Sequence, residues 1–243
     1  MEQLAFTQFL NHVFGGVVLS ALTALGIHPK HPTAPIPNAV AMEVMVFVLL
    51  TIFFLLVRMR LSVDAPGALQ HTMESIEGFI DNLGKEIIGG HQYHQYVPYL
   101  VTLGLFILAC NLIGLVPGME SPTAVPVVPL GCALVTWFYY HIQGLRENGI
   151  GYVKHFMGPV WWLAPLMFPI EIFSHLARVL SLTIRLFANM FAGEMVTLVF
   201  FSLIPLGIPI LFQGLHIGVA FIQTYIFVLL ACVYLSEATA HEH

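Results

Sequence analysis

An all-α polytopic membrane protein is the fold class that the sequence predicts, and three observations predict it. Of its 243 residues, 58% are hydrophobic and only 9% are charged, where a soluble domain carries about 25% charged residues. Apolar runs long enough to cross a bilayer recur between short breaks rich in Pro, Gly or charge. The last two runs read as very long helices joined by a turn holding Pro205, Gly207 and Pro209. Together these give about five membrane helices, the last two a long, strongly tilted hairpin, plus amphipathic helices on the membrane surface.

The same composition excludes several classes. The net charge of -5 is spread without an acidic or basic block, so there is no nucleic-acid footprint. Cys110, Cys132 and Cys232 all lie in apolar segments, which argues against a disulfide framework or zinc site and for small packing residues. No Lys or Arg precedes Lys30, so the charged start of a signal peptide is missing. A transit peptide is missing too, which favours a bacterial gene product. There is no Gly-rich phosphate loop and no constellation for covalent chemistry, so neither a cofactor nor a metal is expected. His91 and His94 stand three apart, but no third ligand accompanies them.

In chain order, residues 1–38 form an N-terminal region. The apolar run at 13–27 is shorter than the ~20 residues a span needs and reads as an interfacial helix, followed by a Pro-rich loop. The membrane domain is residues 39–243. Its first span, 39–57, closes on Arg58 and Arg60. Residues 66–89 place Met73, Ile76, Phe79, Ile80, Leu83 and Ile87 at helical spacing among acidic residues, the pattern of an amphipathic helix lying on the membrane. Spans follow at 97–116 and 125–141. The hairpin spans are 165–203 and 210–236, with Pro165 and Pro169 in the opening turns of the first. The unbroken pattern from Ile170 to Leu203 would measure about 51 Å at 1.5 Å per residue. Almost nothing in it is polar enough to stand in water, so in a core ~30 Å thick the helix must tilt well beyond the ordinary ~20°.

This helix nevertheless carries Glu171, His175, Arg178, Arg185, Asn189 and Glu194. A charge at mid-membrane costs about 2.5–3.5 kcal/mol on insertion scales, so intramembrane ionisable groups mark function unless they pair statically. Steps of four, three, seven and four residues put Glu171, His175, Arg178, Arg185 and Asn189 on one face. Ser174, Ala177, Ser181, Ala188 and Ala192 fall within an arc of about 80° that also holds Arg185. Arg185 thus projects from a strip of small residues, which lets another helix come close. Arg178 either pairs with Glu171 and His175 or reaches toward the interface.

The returning helix sets Gln213, His216 and Gln223 on one face, with Glu237 continuing the stripe. His216 and Glu194 are each about ten residues from the turn, while Glu171 and His175 lie at the opposite end. Two polar clusters at different depths therefore flank Arg185. With alternating crossings, Arg58, Arg60, Lys85, Arg146 and Lys154 share one side and Lys30 stands opposite. By the positive-inside rule that side is cytoplasmic, the N-terminus is outside and the C-terminus is inside.

Ser181 to Met190, reading SLTIRLFANM and extended by Ala192-Gly193-Glu194, resembles the signature of the a subunits of the F-type ATP synthase membrane sector. His216 with Gln223-x-x-Ile226-Phe227-Val228-Leu229 and Tyr234-Leu235-Ser236 is a second match. Asn111-Leu112-Ile113-Gly114-Leu115-Val116-Pro117-Gly118 with Pro122-Thr123-Ala124 is a third. The resemblance runs from residue 39 to the C-terminus. It departs at Val125-Pro126-Val127-Val128-Pro129, where the family places Asp or Asn, so it carries no polar role for the outer end of the third span.

The resemblance implies a non-catalytic stator subunit. Arg185 would face the carboxylate of a rotating c-subunit ring. Asn189, Glu194, His216 and Gln223 would line a half-channel open to the outside, and Glu171, Ser174 and His175 one open to the cytoplasm. Implied partners are the c-ring, the b-subunit stator stalk, the remainder of the ATP synthase and the lipid bilayer, in a bacterial inner membrane. A self-contained proton-coupled transporter is the competing reading. It predicts an internal repeat and broken helices around a midplane site, and the sequence has no repeat.

Overall fold

The computed structural model describes residues 4–26, 34–62, 67–89, 93–116, 118–149, 151–152, 164–203 and 207–240. Seven α-helices account for most of them: α1 (Ala5–Ala24), α2 (Asn38–Met59), α3 (Ala68–Ile87), α4 (Val97–Ile113), α5 (Val127–Asn148), α6 (Ala164–Leu203) and α7 (Ile208–Thr239). Among the described residues there is no strand. Four of the helices, α1, α2, α6 and α7, are long and apolar enough to cross a membrane, and α4 is a shorter apolar helix. The chain is a multi-pass helical membrane protein.

The first helix is longer than the apolar run it overlaps. It begins eight residues before the apolar run and reaches 20 residues, about 30 Å at 1.5 Å per residue, which is a bilayer's width. It is docked at the start of α2. Leu10 packs with Ile36 and Ala41, the Asn11 side chain donates to Ile36 O at 3.0 Å and accepts from Ile36 N–H at 2.9 Å, and Leu4 N–H reaches Asn38 Oδ1 at 3.4 Å. Helix α2 starts after Pro37, whose fixed φ suits an N-terminus. Past Val46 it turns Phe47, Leu55 and Leu56 outward, as a lipid-facing span does.

Helix α3 has the expected amphipathic form. Ile80 is buried, Ile76, Leu83 and Ile87 pack beside it against the core, and Glu74, Glu77, Lys85 and Glu86 are exposed. Ser236 Oγ donates to Ile87 O at 3.0 Å, which ties the end of α3 to α7. His94 does not begin a ligand set with its neighbours. Its Nδ1 lies 2.9 Å from Asp81 Oδ1, while His91 lies outside the described residues.

Helices α4 to α7 make the core. Leu100, Ile107, Cys110, Ala133, Leu186, Met190, Ala220, Phe227 and Cys232 are all 0–1% exposed. Lipid is as apolar as these side chains, so dispersion and close approach hold the bundle rather than escape from water. That accounts for the alanines and for all three cysteines, which are buried and unbridged. Helix α5 outlasts its expected end at 141 by two turns and stops at Gly149, φ +54°. Polarity ends a hydropathy run, but a helix continues until a residue such as glycine takes the left-handed conformation. Asn148 secures the extension by donating to Ala238 O at 3.1 Å.

The hairpin is longer than its apolar pattern. Helix α6 has 40 residues and admits Pro169 in its second turn, losing only the bond to the Pro165 carbonyl. At 1.5 Å per residue it spans about 60 Å, twice the ~30 Å hydrocarbon core. Its buried stripe is His175, Val179, Leu182, Thr183, Leu186 and Met190. Helix α7 follows Gly207, φ +87°, and has 32 residues. Phe200 and Phe212 stack across the pair, centroids 4.5 Å apart. Residues 204–206 of the turn lie outside the described set.

Candidate functional site

Helix α6 carries Glu171, Ser174, His175, Arg185, Asn189 and Glu194, and α7 carries Gln213, His216 and Gln223. At the waist, Arg185 is half-buried. Among the described residues no carboxylate oxygen comes within 4 Å of it. Its guanidinium is held from its own helix, Nη2 donating to Ser181 Oγ at 3.4 Å. Around it Ala177, Ser181, Ala188 and Ala192 are all exposed. The strip of small residues is thus an open face with one cation standing in it.

Arg178 behaves oppositely: of the two courses left open for it, it does not pair with Glu171 or His175 but with an acid at the end of the hairpin. It forms an ion pair with Glu237 at the end of α7, its guanidinium 4.9 Å above the Tyr234 ring. Seven residues place it two turns before Arg185, and the approach of α7 at that level supplies the acid. An alternative salt bridge was legible only as the stripe position of Glu237. The Glu237 side chain is 51% exposed, so the pair contributes little to stability. Glu237→Gln is expected to shift the melting temperature of the purified complex by no more than a degree or two, as measured by a thermal shift assay.

One helical turn past Arg185, Asn189 Nδ2 donates to Gln223 Oε1 at 2.8 Å and joins the two hairpin helices. Gln223 is buried, and its Nε2 has no partner among the described residues. His216 is likewise buried with Nε2 unpartnered. Its ring lies against Gly193, where an added Cβ would sit 3.1–3.3 Å from the ring atoms. Glycine at 193 therefore lets His216 approach the backbone beside Glu194.

Glu194 points away from the strip, as its nine-residue offset from Arg185 predicts. Its Oε1 accepts the Ser121 N–H at 3.1 Å. Ser121 Oγ then bonds Cys110 O at 3.0 Å and Thr123 Oγ1 at 2.8 Å. Thr123 donates to Asn111 Oδ1 at 2.7 Å, and Asn111 Nδ2 reaches Thr224 Oγ1 at 3.4 Å. This buried polar chain between α4 and α7 holds Glu194 in place. In the sequence Asn111 and Thr123 stand out only within a motif, and Ser121 lies outside it. The signal was there in a polar residue followed by Pro122 at the start of a loop, which favours a side chain bonded to nearby backbone.

Gly114 is fixed by the same contact, since a Cβ there would lie 2.7 Å from Ser121 Cβ and 3.0 Å from Glu194 Oε1. Gly114→Leu overpacks this junction at a cost of about 1–3 kcal/mol. It is expected to lower the amount of chain in membranes several-fold by immunoblot. Beside the junction a cavity of about 840 Å3 opens near the hairpin turn, and Glu120, Glu194, Gln213 and His216 supply its polar groups. Gln213 is anchored by donating to Leu115 O at 3.0 Å.

At the opposite end, His175 Nε2 lies 3.4 Å from Glu171 Oε1 and its Nδ1 is 2.9 Å from Tyr140 Oη. Ser174, half-buried on the strip side, makes no side-chain hydrogen bond among the described residues. The structure thus groups Glu194, His216 and Gln213 at one end, Asn189 with Gln223 at the middle, and Glu171 with His175 at the other. No group of three His, Cys, Asp or Glu capable of holding a metal ion occurs among the described residues.

Fold and site define a multi-pass membrane subunit built around a long helical hairpin, with an intramembrane cation on its open face. The profile of the family described as ATP synthase A chain matches residues 39–236. The chain is 63% identical over 243 residues to the ATP synthase subunit a of Koribacter versatilis, covering 100% of this chain and 99% of the relative. It is 50% identical over 237 residues to that of Solibacter usitatus, covering 97% and 100%. To the ATP synthase subunit a 1 of Syntrophotalea carbinolica it is 46% identical over 199 residues, covering 82% and 84%. The chain belongs to the ATP synthase A chain family. It is a bacterial membrane subunit whose partner is the rest of that complex, and it is not itself catalytic.

Proposed function

We propose that the chain is the stator half of a rotary proton path, with Arg185 facing the carboxylate of a c-subunit ring between two offset half-channels. The observation that carries this reading is the ion-pair pattern. Arg178 has an acid within its own chain, whereas Arg185 has none among the described residues and stands on an exposed strip of small side chains. A guanidinium stays charged at any accessible pH, and an unpaired charge in lipid is costly. A carboxylate from a passing partner helix is the group that such a position calls for.

The chemistry follows from that pairing. A ring carboxylate facing lipid is desolvated and travels neutral. Within about 4–6 Å of Arg185 the opposite charge lowers its pKa by about 1–3 units, and its proton leaves. The empty site then reloads from the other half-channel. Glu194, His216, Asn189 and Gln223 line the outer inlet, supported by the cavity of about 840 Å3 and by the unpartnered Nε2 atoms of His216 and Gln223, which bonding to water would satisfy. Glu171, Ser174 and His175 line the cytoplasmic one. Arg185 between them also repels a free cation and blocks a leak. The driving force is about 2.3 kcal/mol per charge per 100 mV. In this reading α1 lies in the outer interface, the N-terminus is outside, the C-terminus cytoplasmic, and the b-subunit stalk holds the chain against the ring.

Disulfide trapping tests the geometry. Ala188→Cys, on the exposed strip one turn from Arg185, is expected to cross-link to cysteines placed beside the ring carboxylate in the assembled complex. Ile52→Cys on the lipid face of α2 serves as the contrast. Equal trapping at both positions, or none at Ala188, removes the strip as the ring contact.

A further inference from the structure

Helix α5 contributes to the Glu171 cluster through residues that the site as described so far does not use. Tyr140 is 2% exposed, and a buried phenol requires a hydrogen-bond partner. That partner is His175, with Oη 2.9 Å from Nδ1 and the two rings stacked at 5.9 Å. The other ring nitrogen of His175 faces Glu171, 3.4 Å away. Side-chain exposure rises along this line, from 11% at His175 to 33% at Glu171. His141 completes the cluster edge-on, its ring 4.7 Å from that of His175. Its own Nδ1 donates to Trp137 O at 2.9 Å.

A neutral imidazole carries one proton, and the bond made by one nitrogen decides which tautomer is present. We infer that Tyr140 is a positioning residue for the cytoplasmic inlet, donating to His175 Nδ1 and so keeping the ring proton on Nε2, aimed at Glu171. The inference rests on the inlet reading of that cluster. A neutral donor stabilises the Glu171 carboxylate without placing another cation beside Arg178, so Glu171 remains a ready acceptor for a proton crossing between water and the ring site. The proton that moves is exchanged at Glu171. His175 and Tyr140 keep theirs, so no charge is left behind. Without the phenol, the ring proton is free to move to Nδ1, which turns the Nε2 lone pair toward a carboxylate.

The test is ATP-driven proton pumping by the assembled complex in inverted membrane vesicles, normalised to the amount of complex, with the pH of the cytoplasmic face varied. Tyr140→Phe is expected to slow pumping about fivefold, the factor that a net hydrogen bond of about 1 kcal/mol represents. The profile against cytoplasmic pH should shift, and the profile against lumenal pH should not. His175→Gln supplies an amide donor that has no tautomers. In that background Tyr140→Phe should have no further effect.

Tyr152, Tyr234, Arg178 and Glu237 also face this cluster. They are unchanged in these variants, so a shift reports on His175. A wild-type rate and profile in Tyr140→Phe overturns the inference. So does an equal fivefold loss in the His175→Gln background, which would make Tyr140 a packing anchor. Should Tyr140→Phe not accumulate, the cytoplasmic profile of His175→Leu, which removes the donor to Glu171, decides, and an unchanged profile overturns the inference. Glu171→Gln separates the two levels, because wild-type pumping in that variant sinks the inlet reading itself.

Discussion

Replacing Arg185 with alanine is expected to abolish ATP-driven proton pumping in membrane vesicles while the chain still inserts and assembles. Assembly survives because the only described hydrogen bond that Arg185 makes within the subunit is to Ser181 at 3.4 Å, and the buried stripe of α6 on either side, Leu182, Leu186 and Met190, is untouched. Pumping is lost because a shift of about 1–3 pKa units in the facing carboxylate is a 10- to 1,000-fold change in its readiness to release a proton. The barrier to leakage disappears with it. Arg185→Lys restores the charge but not the planar, five-donor fork, and should recover only a small part of the rate. Acidification of vesicles on addition of ATP, compared at equal amounts of complex, is the measurement. Pumping by Arg185→Ala at even a tenth of the normal rate would sink the assignment.

Glu194→Ala and His216→Ala are expected to slow transport by about a hundredfold without uncoupling it. That factor is at the lower end of what a positioned proton-transfer group contributes. Both residues sit at the hairpin end, next to the cavity of about 840 Å3, away from the waist where Arg185 stands. On the proposed mechanism they therefore govern supply to the ring rather than its sidedness. Glu194→Ala also orphans the Ser121 N–H, which Glu194 accepts at 3.1 Å, at about 1–3 kcal/mol for a buried donor. Glu194→Gln keeps an acceptor there, so comparing the two separates a proton role from a structural one. Proton flux measured against membrane potential distinguishes slowing, in which flux per ATP is retained, from uncoupling, in which it falls. A normal rate in both alanine variants removes the hairpin-end cluster from the path.

Contrasting the two arginines shows what could be read from residues alone. Arg178 and Arg185 share a helix face by spacing, and both sit in an apolar run that makes any charge costly. The exceptional character of the segment was legible from that cost, as was the small-residue strip, since helical periodicity is a local property of the backbone. The two-cluster division around Arg185 was legible for the same reason, because position along a hairpin follows from counting residues to its turn. What spacing could not supply was which acid Arg178 takes as its partner. That depends on the approach of Glu237 and Tyr234 from a helix more than fifty residues later; among the described residues no acid makes such an approach at Arg185.

Element lengths divided in the same manner. Apolar runs fixed the existence of the helices, because a bilayer admits little else. Their ends were set by left-handed glycines such as Gly149 and by tertiary anchors such as Asn148, which hydropathy does not register. The junction of Glu194 with Ser121, the wall that Tyr140 adds to His175, and the close approaches that demand glycine at 114 and 193 belong to the folded chain alone. Each joins residues far apart in sequence, and a hydrogen bond or a steric limit acts only across a few ångströms. By itself the sequence determined a helical membrane hairpin with a stranded cation. Tertiary structure decided where Arg178 finds its acid and what holds the acids on either side of Arg185.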